Sequence, residues 1–155
     1  MISQSKEDKW LQACDALASL FSTCSRKQCF AIILAPNGRV CGVGYNGAPS
    51  GHVHCVDGGC PRALSQSEHG QQYDNCIAQH AEQGALIWSD ANMRMGGTLV
   101  VNAPPCMTCA KMIASSGVSK VVHYVDPDFA DWPKVEQFLR NCSLDVRSVN
   151  RPALS

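Results

Sequence analysis

The chain lacks an excess of charge of either sign: its 155 residues carry 13 Lys and Arg against 13 Asp and Glu. That balance withholds the basic field with which a general nucleic-acid binder collects phosphates, so nucleic acid is not an expected partner. It also withholds any anionic bias. No run approaches the ~18 consecutive apolar residues of a membrane span, so no membrane partner is expected either. The N-terminal stretch is polar, with Lys6-Glu7-Asp8-Lys9, and does not resemble a secretion signal. A cytoplasmic protein is therefore expected, in the host cytoplasm if the chain is viral. Internal repeats and linkers are missing as well. With 45% apolar and 17% charged residues, residues 1–155 read as a single globular domain with a sizeable core.

Cysteine, by contrast, is plentiful, with ten in the chain. Without a secretion signal, metal ligation is a stronger reading than disulfides. Cys14, Cys29, Cys41 and Cys142 lie in apolar segments and read as small buried residues. Cys55, Cys60, Cys76, Cys106 and Cys109 lie near Pro, Gly, His or helix starts.

Apolar spacing over residues 6–21 predicts a helix. Phe30 to Leu34 and Val40 to Tyr45, separated by Pro36-Asn37-Gly38, read as a β-hairpin. Residues 46–76 form an irregular Cys/His-rich insert, too long to be structureless inside a compact domain unless something staples it. Helices are predicted over 77–89, 106–116 and 133–141, and strands over 98–101, 118–125 and 144–149. Strands alternating with helices argue for a three-layer α/β/α sandwich.

The chemistry concentrates at His80-Ala81-Glu82 and Pro104-Pro105-Cys106-Met107-Thr108-Cys109. Cys106 and Cys109, three apart in a first helical turn, share a face, and the helix dipole there favours thiolates. Together with His80 they make three ligands for Zn²⁺, leaving the fourth position open, as in a catalytic site. Two thiolates and a neutral His cancel the charge of Zn²⁺, so the metal polarises water less than one held by three neutral His. A nearby base should then remove the proton, and Glu82 is the candidate catalytic residue. His-x-Glu followed by Pro-Cys-x-x-Cys is the signature of zinc nucleobase deaminases.

At this point the chain resembles the cytidine deaminase superfamily, and within it the deoxycytidylate (dCMP) deaminases. The matching pieces are Cys24-Ser25-Arg26-Lys27, Gly44-Tyr45-Asn46-Gly47-Ala48-Pro49, Gly59-Cys60-Pro61-Arg62, His80-Ala81-Glu82-Gln83 and Pro105-Cys106-Met107-Thr108-Cys109-Ala110-Lys111. The resemblance implies a cytidine deaminase-like α/β/α sandwich with a mixed five-stranded sheet. It implies hydrolysis of dCMP to dUMP and ammonia, a supply of thymidylate precursor. His80, Cys106 and Cys109 would hold the catalytic zinc, and Glu82 would shuttle protons. Asn46 would meet the deoxyribose, and Arg26 and Lys27 the 5′-phosphate. It further implies a homo-oligomer, often a hexamer, activated by dCTP and inhibited by dTTP. An aromatic residue is expected near position 127 to cover the substrate, where Pro127 stands; Tyr124, Phe129 and Trp132 are the substitutes.

The insert carries His52, His54, Cys55, Cys60, His69 and Cys76, with Cys24 just ahead of the first strand. Four such residues could close a structural zinc, and the family often carries one here. The expected ligands are Cys24, Cys55, Cys60 and Cys76, with His54 or His69 as replacements. Other readings stay open: a deaminase of dCTP or of a nucleic-acid base, or a non-catalytic zinc-stapled binding module.

Overall fold

The computed structural model describes residues 2–66 and 76–153. Its strands are β1 (Phe30–Leu34), β2 (Val40–Tyr45), β3 (Thr98–Val101), β4 (Lys120–Tyr124) and β5 (Asp145–Val149). They form one sheet in the order β2-β1-β3-β4-β5. β1 runs antiparallel to β2 and β3, whereas β3, β4 and β5 run parallel, so the sheet is mixed. Central β1 and β3 are buried along their whole length, as strands covered on both faces must be.

The helices among the described residues are α1 (Gln4–Phe21), α2 (Pro61–Leu64), α3 (Ala81–Trp88), α4 (Ala91–Arg94), α5 (Met107–Ser115) and α6 (Trp132–Asn141). Side chains alternate across a strand, and the two faces of the sheet bury different partners. Phe30, Ile32, Leu34, Val100, Val122 and Tyr124 pack against Leu11, Cys14 and Ala18 of α1. Ala31, Ile33, Leu99, Val101 and Val121 pack against α3, α5 and α6 through Ala85, Ile113, Val135 and Leu139. The result is a three-layer α/β/α sandwich around a mixed five-stranded sheet.

Two devices fix the layers. Ser3 caps α1, accepting a hydrogen bond from the Lys6 amide at 3.4 Å. Glu7, one turn later and 1% exposed, is ion-paired to Lys120 of β4 at 2.6 Å and to Arg147 of β5 at 2.8 Å. A carboxylate at that depth is tolerable only because both cations reach it. On the opposite face, Gly42 and Gly44 let α3 lie directly on β2. A Cβ on Gly44 would sit 2.2 Å from the Ala81 carbonyl oxygen and 2.3 Å from the Ala85 nitrogen. α3 thus approaches to a distance that only glycine allows.

The boundaries differ from the sequence reading where local hydrogen bonds override periodicity. The helix expected from residue 77 starts at Ala81, because Gln79 bridges to Gly47 instead, exchanging bonds of 2.8 and 3.1 Å. β4 starts at Lys120 rather than 118, since Ser119 is tied to the Gly97 carbonyl. α4 has no counterpart in the apolar spacing; Asp90 caps it, accepting from the Asn92 and Met93 amides at 2.9 Å. The described part of the insert holds a 3-10 turn over Cys55–Asp57 and the short α2. Cys142 is exposed at the end of α6 and Cys29 and Cys41 are half-buried, so only Cys14 of that group is a fully buried cysteine. No helix among the described residues is long and apolar enough to cross a membrane.

Candidate metal centre

Two helix N-termini meet at the end of the sheet where the parallel strands finish. His80 is the N-cap of α3, in extended conformation, and its amide donates to the Gln83 side chain at 2.8 Å. Cys106 is the N-cap of α5, also extended, and Cys109 lies in the first turn. Pro104 and Pro105 precede the cap, where proline ends a strand and cannot enter a helix interior. Both helices therefore point amide groups and the positive end of their dipoles at the ligands, which favours thiolates.

His80, Cys106 and Cys109 offer ligand atoms that all lie within 4.8 Å of one another. His80 Nδ1 is 3.3 Å from Cys109 Sγ and 3.6 Å from Cys106 Sγ. A tetrahedral zinc with bonds of about 2.0 Å to nitrogen and about 2.3 Å to sulfur places N and S about 3.5 Å apart. The donor set therefore fits zinc in kind and in spacing, with three protein ligands and one position left.

Within the trio the two thiols are pushed in opposite directions. Cys106 is lowered to about 4, chiefly by the hydrogen bond from Cys109 and then by His80, against the effect of burial. Cys109 is pushed up, first by that same shared bond with Cys106 and then by burial. His80 is raised by its hydrogen bond to Cys106, which outweighs partial burial. Glu82 stands in the first turn of α3, 6% exposed. Burial raises its carboxyl above the usual range, with opposing pulls from a backbone amide and from His80. A carboxyl so raised holds a proton more readily than a free one, as a general acid–base group must.

Asn46 is 8% exposed, just beyond β2. Its Oδ1 accepts from the Ser22 hydroxyl and from the Cys29 amide at 2.8 Å, and its Nδ2 donates to the Lys27 carbonyl at 2.6 Å. It thereby fastens the segment 22–29. Lys27 is ion-paired to Asp126 at 2.9 Å. Arg26 instead reaches the insert, donating to the Arg62 carbonyl at 3.1 Å. Among the aromatic substitutes, Tyr124 is buried beneath the Arg151 guanidinium, 4.6 Å from ring centre to cation. Trp132 packs edge-on against His123 at 4.2 Å, and Phe129 packs partly buried against the core.

Cys24, Cys55, Cys60 and Cys76 share a neighbourhood but are less tightly gathered. Among the described residues they do not form a trio as close as His80, Cys106 and Cys109. Cys55 and Cys60 are buried. Cys55 is pushed up to about 11, by burial first and then by the charges of Cys60 and Cys24, with a smaller contribution from Cys76. Burial pushes Cys60 up too, but the Ala63 and Arg62 amides, Cys55 and Arg26 together lower it. His54 is exposed at the start of the 3-10 turn, and His69 lies outside the described residues.

Two residues that the sequence reading passed over belong to the site's frame. Cys29, a core cysteine by its apolar segment, is raised to about 12 by burial first and then by the charge of Glu82. Asn102, 4% exposed, accepts from the Phe30 amide at 2.9 Å and donates to Asp15 and to the Gln28 carbonyl. The available signal was an asparagine directly after four buried strand residues, where an unpaired amide would be costly.

Comparison with known proteins gives one consistent result. Residues 4–125 match the family model of the cytidine and deoxycytidylate deaminase zinc-binding region. A deoxycytidylate deaminase of Mycobacterium phage D29 is 36% identical over 121 residues, covering 75% of this chain and 92% of that protein. One from Schizosaccharomyces pombe is 34% identical over 119 residues, covering 76% of this chain. The match takes in only 36% of that longer yeast protein. The crystal structure of a dCMP deaminase from the cyanophage S-TIM5, in complex with dCMP and dUMP, superposes with a TM-score of 0.72 at 26% identity. It covers 96% of this chain and 100% of that one.

Proposed function

We infer the reaction of this chain from its family: it belongs to the cytidine and deoxycytidylate deaminases, and its substrate is dCMP, hydrolysed to dUMP and ammonia. The observation that carries the reading is the buried Glu82 beside a His80–Cys106–Cys109 trio whose N···S distances of 3.3 and 3.6 Å suit zinc. The choice of dCMP is supported by the phage and yeast relatives and by the substrate and product bound to the cyanophage enzyme.

His80, Cys106 and Cys109 hold the metal, which when bound supplies Lewis-acid activation of water. Glu82 takes a proton from the water and delivers it to N3 as the oxygen bonds to C4 and the C4=N3 pair moves onto N3. It then carries the remaining hydroxyl proton to the amino group, so that C4=O forms as the C4–N bond breaks and ammonia leaves. Burial of Glu82 raises its affinity for a proton, which favours its acting as carrier. Asn46 holds the segment 22–29 in place and offers its remaining N–H to the sugar. Lys27 is the cation for the 5′-phosphate, since the neighbouring Arg26 is directed to the Arg62 carbonyl.

A second, structural zinc at Cys24, Cys55, Cys60 and Cys76 staples the insert. The mutual electrostatic influence of the four thiols supports it. The chain assembles as a homo-oligomer, a hexamer by family resemblance. Exposed Ile87 and Trp88 at the end of α3, and Val43 and Tyr45 on edge strand β2, support an interface. Activation by dCTP and inhibition by dTTP rest on the resemblance. Ten free cysteines suit a reducing cytoplasm.

The test is ammonia release from dCMP, dCTP and cytidine by zinc-loaded protein, with and without dCTP and dTTP as effectors. Turnover of dCMP above the other two is expected. No turnover of any of the three would overturn the reading.

A further inference from the structure

At the end of the sheet that carries the trio, a cavity of about 250 Å³ opens between Lys27, Asn102, Ala103, Asp126 and Arg151. These residues follow β3, β4 and β5, or precede the antiparallel β1. They therefore gather at the carboxyl ends of the parallel strands, where ligands of α/β sheets bind. Ala103 is three residues from Cys106. Cys106 caps α5 just after this lining residue, so the cavity and the trio share one end of the sheet.

The two cations are held ready. The Lys27 backbone is fixed by the Asn46 side chain at 2.6 Å. The Arg151 guanidinium donates to Asp15 and to the Asn102 carbonyl, the latter at 2.8 Å, and lies over the Tyr124 ring. Those bonds use two of its five N–H donors. A neutral cytosine and an uncharged sugar have no need of such a pair, whereas a phosphate dianion does.

We propose that Arg151 joins Lys27 in forming the 5′-phosphate pocket, which makes Arg151 a specificity-determining residue for a nucleoside monophosphate over the nucleoside. Asp126 occupies Lys27 at 2.9 Å and yields it when phosphate enters. Arg26, directed to the Arg62 carbonyl, is not the second cation of the pocket. The inference rests on the dCMP reading above.

Zinc-loaded wild type, Arg151→Ala, Arg151→Lys and Lys27→Ala are compared in dCMP kinetics. Calorimetric titrations with dUMP, deoxyuridine and inorganic phosphate accompany them. Arg151→Ala should raise KM for dCMP about 10- to 100-fold with little change in kcat, as for loss of a charged hydrogen bond. It should weaken dUMP and phosphate alike and leave deoxyuridine binding unchanged, with Arg151→Lys in between. Unchanged dUMP binding in Arg151→Ala would overturn the proposal. So would equal losses for dUMP and deoxyuridine, which would mark Arg151 as a support acting through Asp15 and Asn102. If wild type turns over no dCMP, the deaminase reading falls, while the dUMP and phosphate titrations still decide whether Arg151 reads the phosphate.

Discussion

The chain places cysteines in two settings that differ in what holds them. Cys106 and Cys109 ride on the N-terminus of α5, and His80 on that of α3, both helices seated on the sheet. Cys24, Cys55, Cys60 and Cys76 hang on connecting segments, with α2 as their longest described helix. The first group is spaced for a metal by backbone that would be in place without one. The second has its thiols near each other but has no comparable trio among the described residues. A ligand set mounted on packed helices is preorganised, whereas one on loops gains its geometry from the ion itself. A buried carboxylate, Glu82, accompanies the first group, whereas the acid nearest Cys55 is the exposed Asp57.

The strongest way to break this contrast is Cys106→Ser. It should remove the catalytic zinc and activity together, yet leave the zinc proposed for the insert, so metal analysis of the purified protein should fall from two ions per chain to one. One zinc per chain in wild type would remove the second site altogether. Glu82→Gln should keep both ions and lower kcat by about 10²- to 10⁴-fold, the usual worth of a positioned acid–base group; a near-normal rate in that variant would take the proton-carrier role away from Glu82. Cys60→Ser sharpens the other side. It should also cost one zinc, but the measured loss should appear as a melting temperature lower by roughly 10 °C, for a few kcal/mol in a chain of this length. Chelation should open residues 46–76 to limited proteolysis before it exposes α3 or α5.

The smallest effect lies outside both settings. His123 is fully buried, with Nδ1 2.9 Å from the Tyr124 carbonyl and Nε2 2.9 Å from the Ser148 hydroxyl. Burial lowers its pKa, against the pull of that carbonyl and of Glu136. The unfolded chain therefore takes up a proton near the ordinary histidine value of about 6.5, while the folded chain resists until lower pH. The stability contributed by the neutral ring is present above that value and is lost as pH falls toward the lowered one. Thermal melts from pH 7.5 to 5 should show a steeper decline for wild type than for His123→Gln.

Much of this arrangement was legible in the sequence. The five strands and the helices α1, α5 and α6 announce themselves by apolar spacing, and Pro105-Cys106 marks a helix start. The two halves of the site were legible because each is local: His80 lies two residues from Glu82, and Cys106 three from Cys109. What escaped was non-local. The bridge between Gly47 and Gln79, which delays α3 to Ala81, depends on a partner far along the chain. Asn102 has meaning only once Phe30 and Gln28 are beside it. Arg151 is one cation near a chain end until Tyr124 and Asn102 fix it. Arg26 and Lys27 are adjacent in sequence, yet one faces the insert and the other faces Asp126.

Asn46 spends its oxygen on Ser22 and the Cys29 amide, and one N–H on the Lys27 carbonyl. Segment 22–29 is therefore ordered when the chain folds, not when a nucleotide arrives. The conformational entropy of fixing it, about 1–2 kcal/mol per residue, is charged to folding and is absent from the free energy of association. Substitution of Asn46 by a residue without an amide would transfer that cost to every encounter with a ligand, slowing capture of the nucleotide even where each contact to it survives.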